Sequence, residues 1–379
     1  MNNSPLADPM MTPYLLLDKD RFQRNIDRLT TRIQALGCQL RPHLKTLRSL
    51  EAGAYLLEHR RSPATVSTLA EAEAFASAGY ENLLYAVGIS PNKLGRIAAL
   101  RRRGIQLHLL LDSAEQARAI VGYAQQHSVA FSVFIEIDCD GHRGGIRADA
   151  PQLTGIAEYL HHNGVEVSGV MTHAGESYHA RSWDEIAAAA EQECAAATAA
   201  AARLRQRGIP CPVVSVGSTP TAHAVSSLAG VTEVRAGVFS TFDLFMSNVG
   251  VCSTEDIALS VVTSVIGHNH EKGWVFVDAG WMALSRDRGT ATQRNDYGYG
   301  LVCGSQGTPL DLTIASASQE HGIIVIPPDS AWQTTDFPTG TTLRILPNHA
   351  CATAAMHHHY QVISAQENSA EVWERITGW

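Results

Sequence analysis

Three groupings of side chains in this 379-residue chain have the types and spacing to do chemistry. The first is Arg41-Pro42-His43-Leu44-Lys45-Thr46. Pro42 marks the end or edge of a short strand begun at Cys38. On a chain that stays extended, His43 and Lys45 project to one side. An amine in that place can condense with an aldehyde cofactor, provided desolvation or a neighbouring cation lets a lysine shed its proton. A surface lysine in a loop reads the same way over six residues, because short motifs have many false matches.

The second grouping is suited to anions. In Gly217-Ser218-Thr219-Pro220-Thr221 the proline favours a first helical position and the residue before it can cap. Exposed amides plus two hydroxyls then make a phosphate site, although a capped helix alone has the same sequence. Arg235-Ala236-Gly237-Val238 adds a cation and a small backbone donor. In Asp138-Cys139-Asp140-Gly141-His142-Arg143-Gly144-Gly145 the glycines admit a ligand and Arg143 offers a planar donor fork, or is an arginine in a flexible loop. In Thr172-His173-Ala174-Gly175 the imidazole can lie flat against an aromatic ring, act as acid or base, or be a satisfied core histidine. The third grouping is Pro347-Asn348-His349-Ala350-Cys351. If that stretch is extended, His349 and Cys351 face one side and can grip a soft metal ion. Zinc takes N and S ligands, and a catalytic zinc keeps positions open. A buried cysteine beside a turn histidine is the rival reading. The run His357-His358-His359 is a competing metal candidate whose rings would diverge on a helix or strand.

The elements that must position these groups are legible as alternating runs. Eight strands are predicted at Cys38–His43, Ala64–Ser67, Leu83–Val87, Leu107–Leu111, Phe131–Ile137, Val167–Thr172, Val213–Val216 and Thr232–Ala236. An amphipathic helix over Arg21–Leu36 stops at Gly37. Ser113 with Gln116 starts a helix over Ala114–His127. Ser182 with Glu185 is a capping box ahead of an alanine-rich helix that Gly208 ends. Eight strands alternating with helices predict a parallel (β/α)8 TIM barrel over residues 18–250. An open doubly wound sheet is the runner-up, but no Gly-x-Gly-x-x-Gly follows the first strand. In a barrel, function sits after the C-terminal ends of the strands, which is where Lys45, Arg143, His173, Ser218, Thr219 and Arg235 fall. From about Cys252 the rhythm changes to short strands at Ile257–Ile266, Gly273–Val277, Leu301–Cys303, Ile323–Ile326, Thr342–Leu346 and Gln361–Ser364. They predict a β-rich domain over 251–379, with roughly residues 1–17, carrying the metal site.

Composition narrows the function class. A net charge of −8 offers no basic footprint for nucleic acid. There is no run of about 18 apolar residues for a membrane helix. Met1-Asn2-Asn3-Ser4-Pro5 lacks the regions of a signal peptide. Seven scattered cysteines make no disulfide framework, so a reducing cytoplasm is expected.

Taken together, Arg41-Pro42-His43-Leu44-Lys45-Thr46, His142-Arg143-Gly144-Gly145, Thr172-His173-Ala174-Gly175, Gly217-Ser218-Thr219-Pro220-Thr221 and Pro347-Asn348-His349-Ala350-Cys351 resemble the fold-type III pyridoxal-phosphate enzymes, whose barrel half is that of alanine racemase. Within that group the chain is similar to the metal-dependent D-serine dehydratase and D-threonine aldolase family, which includes 3-hydroxy-D-aspartate dehydratases. The resemblance implies that Lys45 holds pyridoxal phosphate covalently, Arg143 bonds its phenolic oxygen and His173 stacks on its ring. It implies that Ser218, Thr219, Gly237 and Val238 bind the phosphate and that Arg235 faces the pyridine nitrogen. His349 and Cys351 would ligate a divalent metal, zinc by preference. The cysteine is the dehydratase variant of a place where the aldolases carry aspartate. The phosphate-binding tyrosine of alanine racemase has no counterpart, since Leu47 and Arg48 follow Thr46. The implied reaction is elimination of water from D-serine or 3-hydroxy-D-aspartate, giving a 2-oxo acid and ammonia, with Lys45 taking the α-proton. Retro-aldol cleavage, racemisation and a non-catalytic cofactor carrier are the rivals. The resemblance also implies a homodimer.

Overall fold

The computed structural model describes Met11–Trp379, so the expectation about Met1–Pro5 lies outside the described residues. Two compact units divide the chain. One is Asp27–Gly237 with Ile376–Trp379; the other is the described chain up to Ile26 with Val238–Arg375.

The first unit is built on eight strands: β1 Gln39–Pro42, β2 Ala64–Val66, β3 Asn82–Gly88, β4 Gln106–Leu111, β5 Ser132–Asp138, β6 Glu166–Thr172, β7 Val213–Val216 and β8 Glu233–Ala236. Their order is β1-β8-β7-β6-β5-β4-β3-β2, and every pairing is parallel. A parallel bridge between His43 and Thr65 joins the two ends of that path, which closes the sheet into a barrel and excludes the open doubly wound form. Because both faces of such strands are covered, the middle strands β3 to β6 are predominantly apolar. Leu84, Leu110, Phe134 and Met171, from β3 to β6, form one buried cluster. Around β1, β7 and β8 buried polar side chains stand among apolar ones such as Val214, Val216 and Val234. Arg41 Nε donates to Glu233 Oε1 at 2.7 Å, and Ser215 Oγ donates to the same oxygen at 2.6 Å. Buried ions persist only when paired and hydrogen-bonded, so this network ties the three strands in one register.

The helices form where capping residues precede them. Ser113 and Gln116 make a reciprocal capping box on Ala114–His127. At the long helix Trp183–Gln206, Ser182 accepts from the Glu185 amide as expected. The Glu185 carboxylate departs from the expected box, accepting from Arg181 N at 2.7 Å, one residue before the cap. Gly208 follows the helix at φ +72°, which glycine adopts without strain.

The second unit carries a nine-stranded sheet. In spatial order its strands are Trp274–Val277, Gly322–Val325, Pro309–Ala317, Leu301–Cys303, Thr342–Leu346, Leu259–Asn269, Tyr14–Asp18, His359–Ser364 and Ser369–Glu374. Only Tyr14–Asp18 with His359–Ser364 is parallel. The sequence reading assigns roughly residues 1–17 to this domain without naming the strand Tyr14–Asp18, and it omits two further strands, Pro309–Ala317 and Ser369–Glu374. The first has Asp311 at φ +57° and a register shift against Leu301–Cys303, which interrupts its alternation. The second is mostly solvent-exposed and has little apolar signal.

Candidate active site

The candidate groups of the first unit stand beyond the C-terminal ends of barrel strands, except Arg235, which the sequence reading put after the eighth strand and which lies within β8 itself. Lys45 stands beyond β1 in a way the alternation argument misses. The chain does not stay extended after β1: Leu44–Thr46 is a single 3-10 turn with His43 as its cap. The His43 amide donates to Ala236 O at 2.7 Å, while His43 Nδ1 takes a long bond of 3.5 Å from the Lys45 amide. Lys45 is left exposed at the top of this turn. Gly237 makes room for it, since a Cβ there would stand 3.3 Å from His43 Cβ and 3.4 Å from Thr46 Oγ1.

His173 follows β6. Its Nδ1 lies 3.1 Å from Gly217 O. A carbonyl only accepts, so Nδ1 carries the proton and Nε2 is the free acceptor. Burial lowers its pKa to about 3, with Arg143, Lys45 and Arg235 lowering it further against the Gly217 bond. The ring is therefore neutral at physiological pH. Burial, Lys45, Arg235 and His173 likewise hold His43 well below its ordinary value. These mutual effects record that Lys45, His173 and Arg235 converge on one place. Arg235 itself is buried, donating from Nη1 to Ser215 Oγ at 2.8 Å and from Nη2 to Thr172 O. Arg143 is largely exposed, 3.8 Å from Glu136 Oε1. Its loop is held by Asp112 Oδ2, which accepts from Gly145 N at 2.9 Å.

The loop after β7 divides the two expected phosphate hydroxyls. Ser218 caps the helix Thr219–Ala224 and its Oγ is engaged by Thr221 N, Thr221 Oγ1 and Ser177 Oγ. Thr219 Oγ1 is buried and has no hydrogen-bond partner. A buried hydroxyl left so costs free energy, and an oxyanion placed against it would satisfy it. The residues present therefore fit a phosphate-bearing cofactor. Val238 opens the turn Val238–Ser240 of the other unit.

In the second unit the extended-chain expectation for His349 and Cys351 also gives way to a helix. His349 caps the helix Ala350–Ala354, and Cys351 lies in its first turn. The two remain neighbours through a hydrogen bond between the ring and the thiol. Asp287 Oδ2 meets His349 Nδ1 at 2.6 Å, which orients the ring. Burial works against the imidazolium here. The bonds to Asp287 and Cys351, with the charges of Cys351 and Asp243, outweigh it and push the pKa up to about 11. One N and one S donor, with the carboxylates of Asp287 and Asp243 bonded to His349 and to the residue after it, fit a soft cation. Asp243 is buried and accepts from Ala350 N at 2.9 Å, fixing the residue between the two donors. Among the described residues no group of three or more His, Cys, Asp or Glu gathers around a metal position. The competing histidine run is otherwise employed: His357 Nε2 donates to Ala283 O at 2.9 Å, and His359 begins a strand.

The sequence reading does not name Glu193, Asp243 or Asp287. Glu193 had a signal: it lies on the inward stripe of its helix with Ile186, Ala190, Ala197 and Leu204, where a carboxylate is out of place. Asp287 had none, standing between Arg286 and Arg288. Those arginines stack on aromatic rings, Arg286 on Trp281 and Arg288 on Tyr299, and Arg288 also pairs with Asp296 at 2.9 Å.

The chain matches the family model "Alanine racemase, N-terminal domain" over residues 17–244 and "Putative serine dehydratase domain" over residues 258–363. It is 51% identical to the D-threo-3-hydroxyaspartate dehydratase of Delftia sp. (strain HT23), covering 97% of this chain and 98% of that one. The solved structure of that enzyme superposes with a TM-score of 0.96 over all of both chains. It has also been solved as a histidine-to-alanine mutant and as a cysteine-to-alanine mutant in a metal-free form. An alanine racemase-like protein from Idiomarina loihiensis superposes at 0.95 with 55% identity over 98% of each chain. The D-serine dehydratase of Dictyostelium discoideum is 30% identical over 96% of this chain and 95% of its own. Likeness of this extent, across both units, makes this chain a member of the dehydratase family built on the alanine racemase barrel.

Proposed function

We propose that this protein is a lyase that eliminates water from a D-β-hydroxy amino acid, 3-hydroxy-D-aspartate or D-serine, giving a 2-oxo acid and ammonia. The observation that carries the reading is the 51% identity, end to end, to an enzyme of that activity. When bound, pyridoxal phosphate supplies a sink for the electrons left at the α-carbon, and a divalent metal supplies a Lewis acid for the departing hydroxide. Lys45 would hold the cofactor, and its Nζ is the base that would take the substrate's α-proton. Thr219 would donate its hydroxyl to the phosphate, with Ser218, Gly237 and Val238 as the other phosphate-binding groups. The neutral His173 ring would stack on the cofactor ring, Arg143 would bond its phenolic oxygen and Arg235 would face the pyridine nitrogen. His349 and Cys351 would hold the metal, and Asp287 fixes the histidine ring.

Zinc is the metal proposed, since an imidazole and a thiolate suit it. The mutated histidine and cysteine of the Delftia enzyme are two positions apart, the spacing of His349 and Cys351. We infer a homodimer in a reducing cytoplasm; none of the seven cysteines is in a disulfide, and no described helix is long and apolar enough to cross a membrane. Incubation with 3-hydroxy-D-aspartate should yield oxaloacetate and ammonia, and D-serine should yield pyruvate and ammonia. Both reactions should stop on chelation and return with zinc. Glycine plus an aldehyde would establish the aldolase instead, and borohydride labelling of any lysine but Lys45 would refute the attachment.

A further inference from the structure

Glu193 lies fully inside the first unit, on an alanine-rich helix whose same face buries Ile186, Ala190, Ala197 and Leu204. Its Oε1 accepts the backbone amides of Ala174 and Gly217, both at 2.9 Å. Its Oε2 accepts Thr221 Oγ1 at 2.8 Å. That hydroxyl in turn accepts the Ser218 amide at 2.9 Å. One carboxylate therefore binds the loop after β6, the loop after β7 and the first turn of the following helix. Gly217 is held from both sides, its N–H by Glu193 and its C=O by His173. It cannot be replaced by a bulkier residue, because its φ is +134° and a Cβ would meet Arg235 O. His173 is thus triangulated, through Ala174 next to it in sequence and through Gly217 across the loop. Glu193 touches none of the groups assigned to substrate or cofactor. A buried carboxylate is costly to desolvate, and burial raises its pKa, with Arg235 among the groups offsetting that. An apolar residue would pack against the same alanines more cheaply, so the acceptor geometry is what the site retains.

We propose that Glu193 is a positioning residue that presets the phosphate cradle at Gly217–Thr219 and the plane of the His173 ring before the cofactor binds. This rests on the cofactor assignment made above. Glutamine can accept both amides through its single carbonyl oxygen, while the Thr221 hydroxyl rotates to accept from its NH2. Methionine fills similar space and accepts neither. Apoprotein should be titrated with pyridoxal phosphate, following absorbance and visible circular dichroism of the bound chromophore. Backbone hydrogen exchange of segments 172–177 and 215–221 is read in parallel. E193Q should bind within about threefold of the parent with the same dichroic band. E193M should bind about tenfold or more weakly, with an altered band and faster exchange in both segments, while strand Gln106–Leu111 keeps its protection. Unchanged affinity in E193M would overturn the proposal, as would an E193Q as weak as E193M, since charge alone would then be at work. If E193M does not fold, E193D decides: its shorter arm cannot reach both amides, and unchanged affinity there overturns the proposal equally. Parent apoprotein that takes up no cofactor, or takes it at a lysine other than Lys45, sinks the underlying assignment instead.

Discussion

Replacing Asp287 by alanine removes the carboxylate that orients the His349 ring, and the structure sets the size of the effect. The bond from His349 Nδ1 to Asp287 Oδ2 is 2.6 Å, short and charge-assisted. Buried bonds of that kind contribute about 1.5–3 kcal/mol. The two side chains are 43% and 34% exposed, so solvent screening reduces the figure to roughly 1–1.5 kcal/mol. At about 1.4 kcal/mol per decade this is close to a tenfold loss of zinc affinity, at the lower end of what outer-shell partners of metal-bound histidines contribute. Asp287 Oδ1 also accepts from Gly289 N at 2.8 Å, so alanine loosens that turn as well. Asparagine has one acceptor oxygen and can serve the ring or the turn, not both. D287N should therefore fall between the parent and D287A. The assay is competition with a chromophoric zinc chelator on purified protein, with far-ultraviolet circular dichroism as the check on folding. Cofactor absorbance should be unchanged in both variants. A zinc dissociation constant within about twofold of the parent in D287A would refute this reasoning, as would zinc retained in full by C351A.

Thr219→Val should act with opposite signs on two measurements. The apoprotein loses a buried unpartnered hydroxyl and should melt no lower than the parent. Its pyridoxal phosphate dissociation constant should rise about tenfold or more for want of one charge-assisted bond; equal affinity would remove Thr219 from the phosphate site. His108 tests the buried barrel histidines. Burial, aided by Arg41 and Arg101, lowers its pKa to about 3, so between about pH 6.5 and 3 the unfolded chain binds a proton that the native state does not. Stability should then fall on acidification by at most about 1.4 kcal/mol per pH unit from this residue. His108→Gln should flatten the urea-denaturation slope against pH by up to that amount, and an unchanged slope would contradict it. Gly217→Ala should destabilise by about 3 kcal/mol or more, through positive φ and collision with the Arg235 backbone, and should lower the melting temperature clearly.

The barrel was legible because its strands are covered on both faces. Val213–Val216, Leu107–Leu111 and Val167–Thr172 are mostly apolar without strict alternation, and their observed ends differ by at most one residue. Caps were legible for a local reason, since Ser113 and Gln116 act on backbone groups three residues away. The exposed strand Ser369–Glu374 left no comparable trace. The two site stretches show where periodicity misleads. Both Leu44–Lys45 and Ala350–Cys351 leave the extended conformation at the residue after a histidine, so each neighbouring pair arises from a turn and not from alternation.

Sequence by itself determined which residues are candidates and the ends of which elements they occupy, because covalent spacing and hydrophobic period are local properties of the chain. Tertiary structure decided what surrounds them. Asp287 reaches His349 across 62 residues, Asp243 reaches Ala350 across 107, and Glu193 gathers two loops that its own segment does not contain. It also decided that Ser218 is occupied by its helix while Thr219 is not. These carboxylates carry no motif, since a hydrogen bond between distant segments depends on where the closed barrel and the sheet bring two backbones, and no local pattern encodes that meeting.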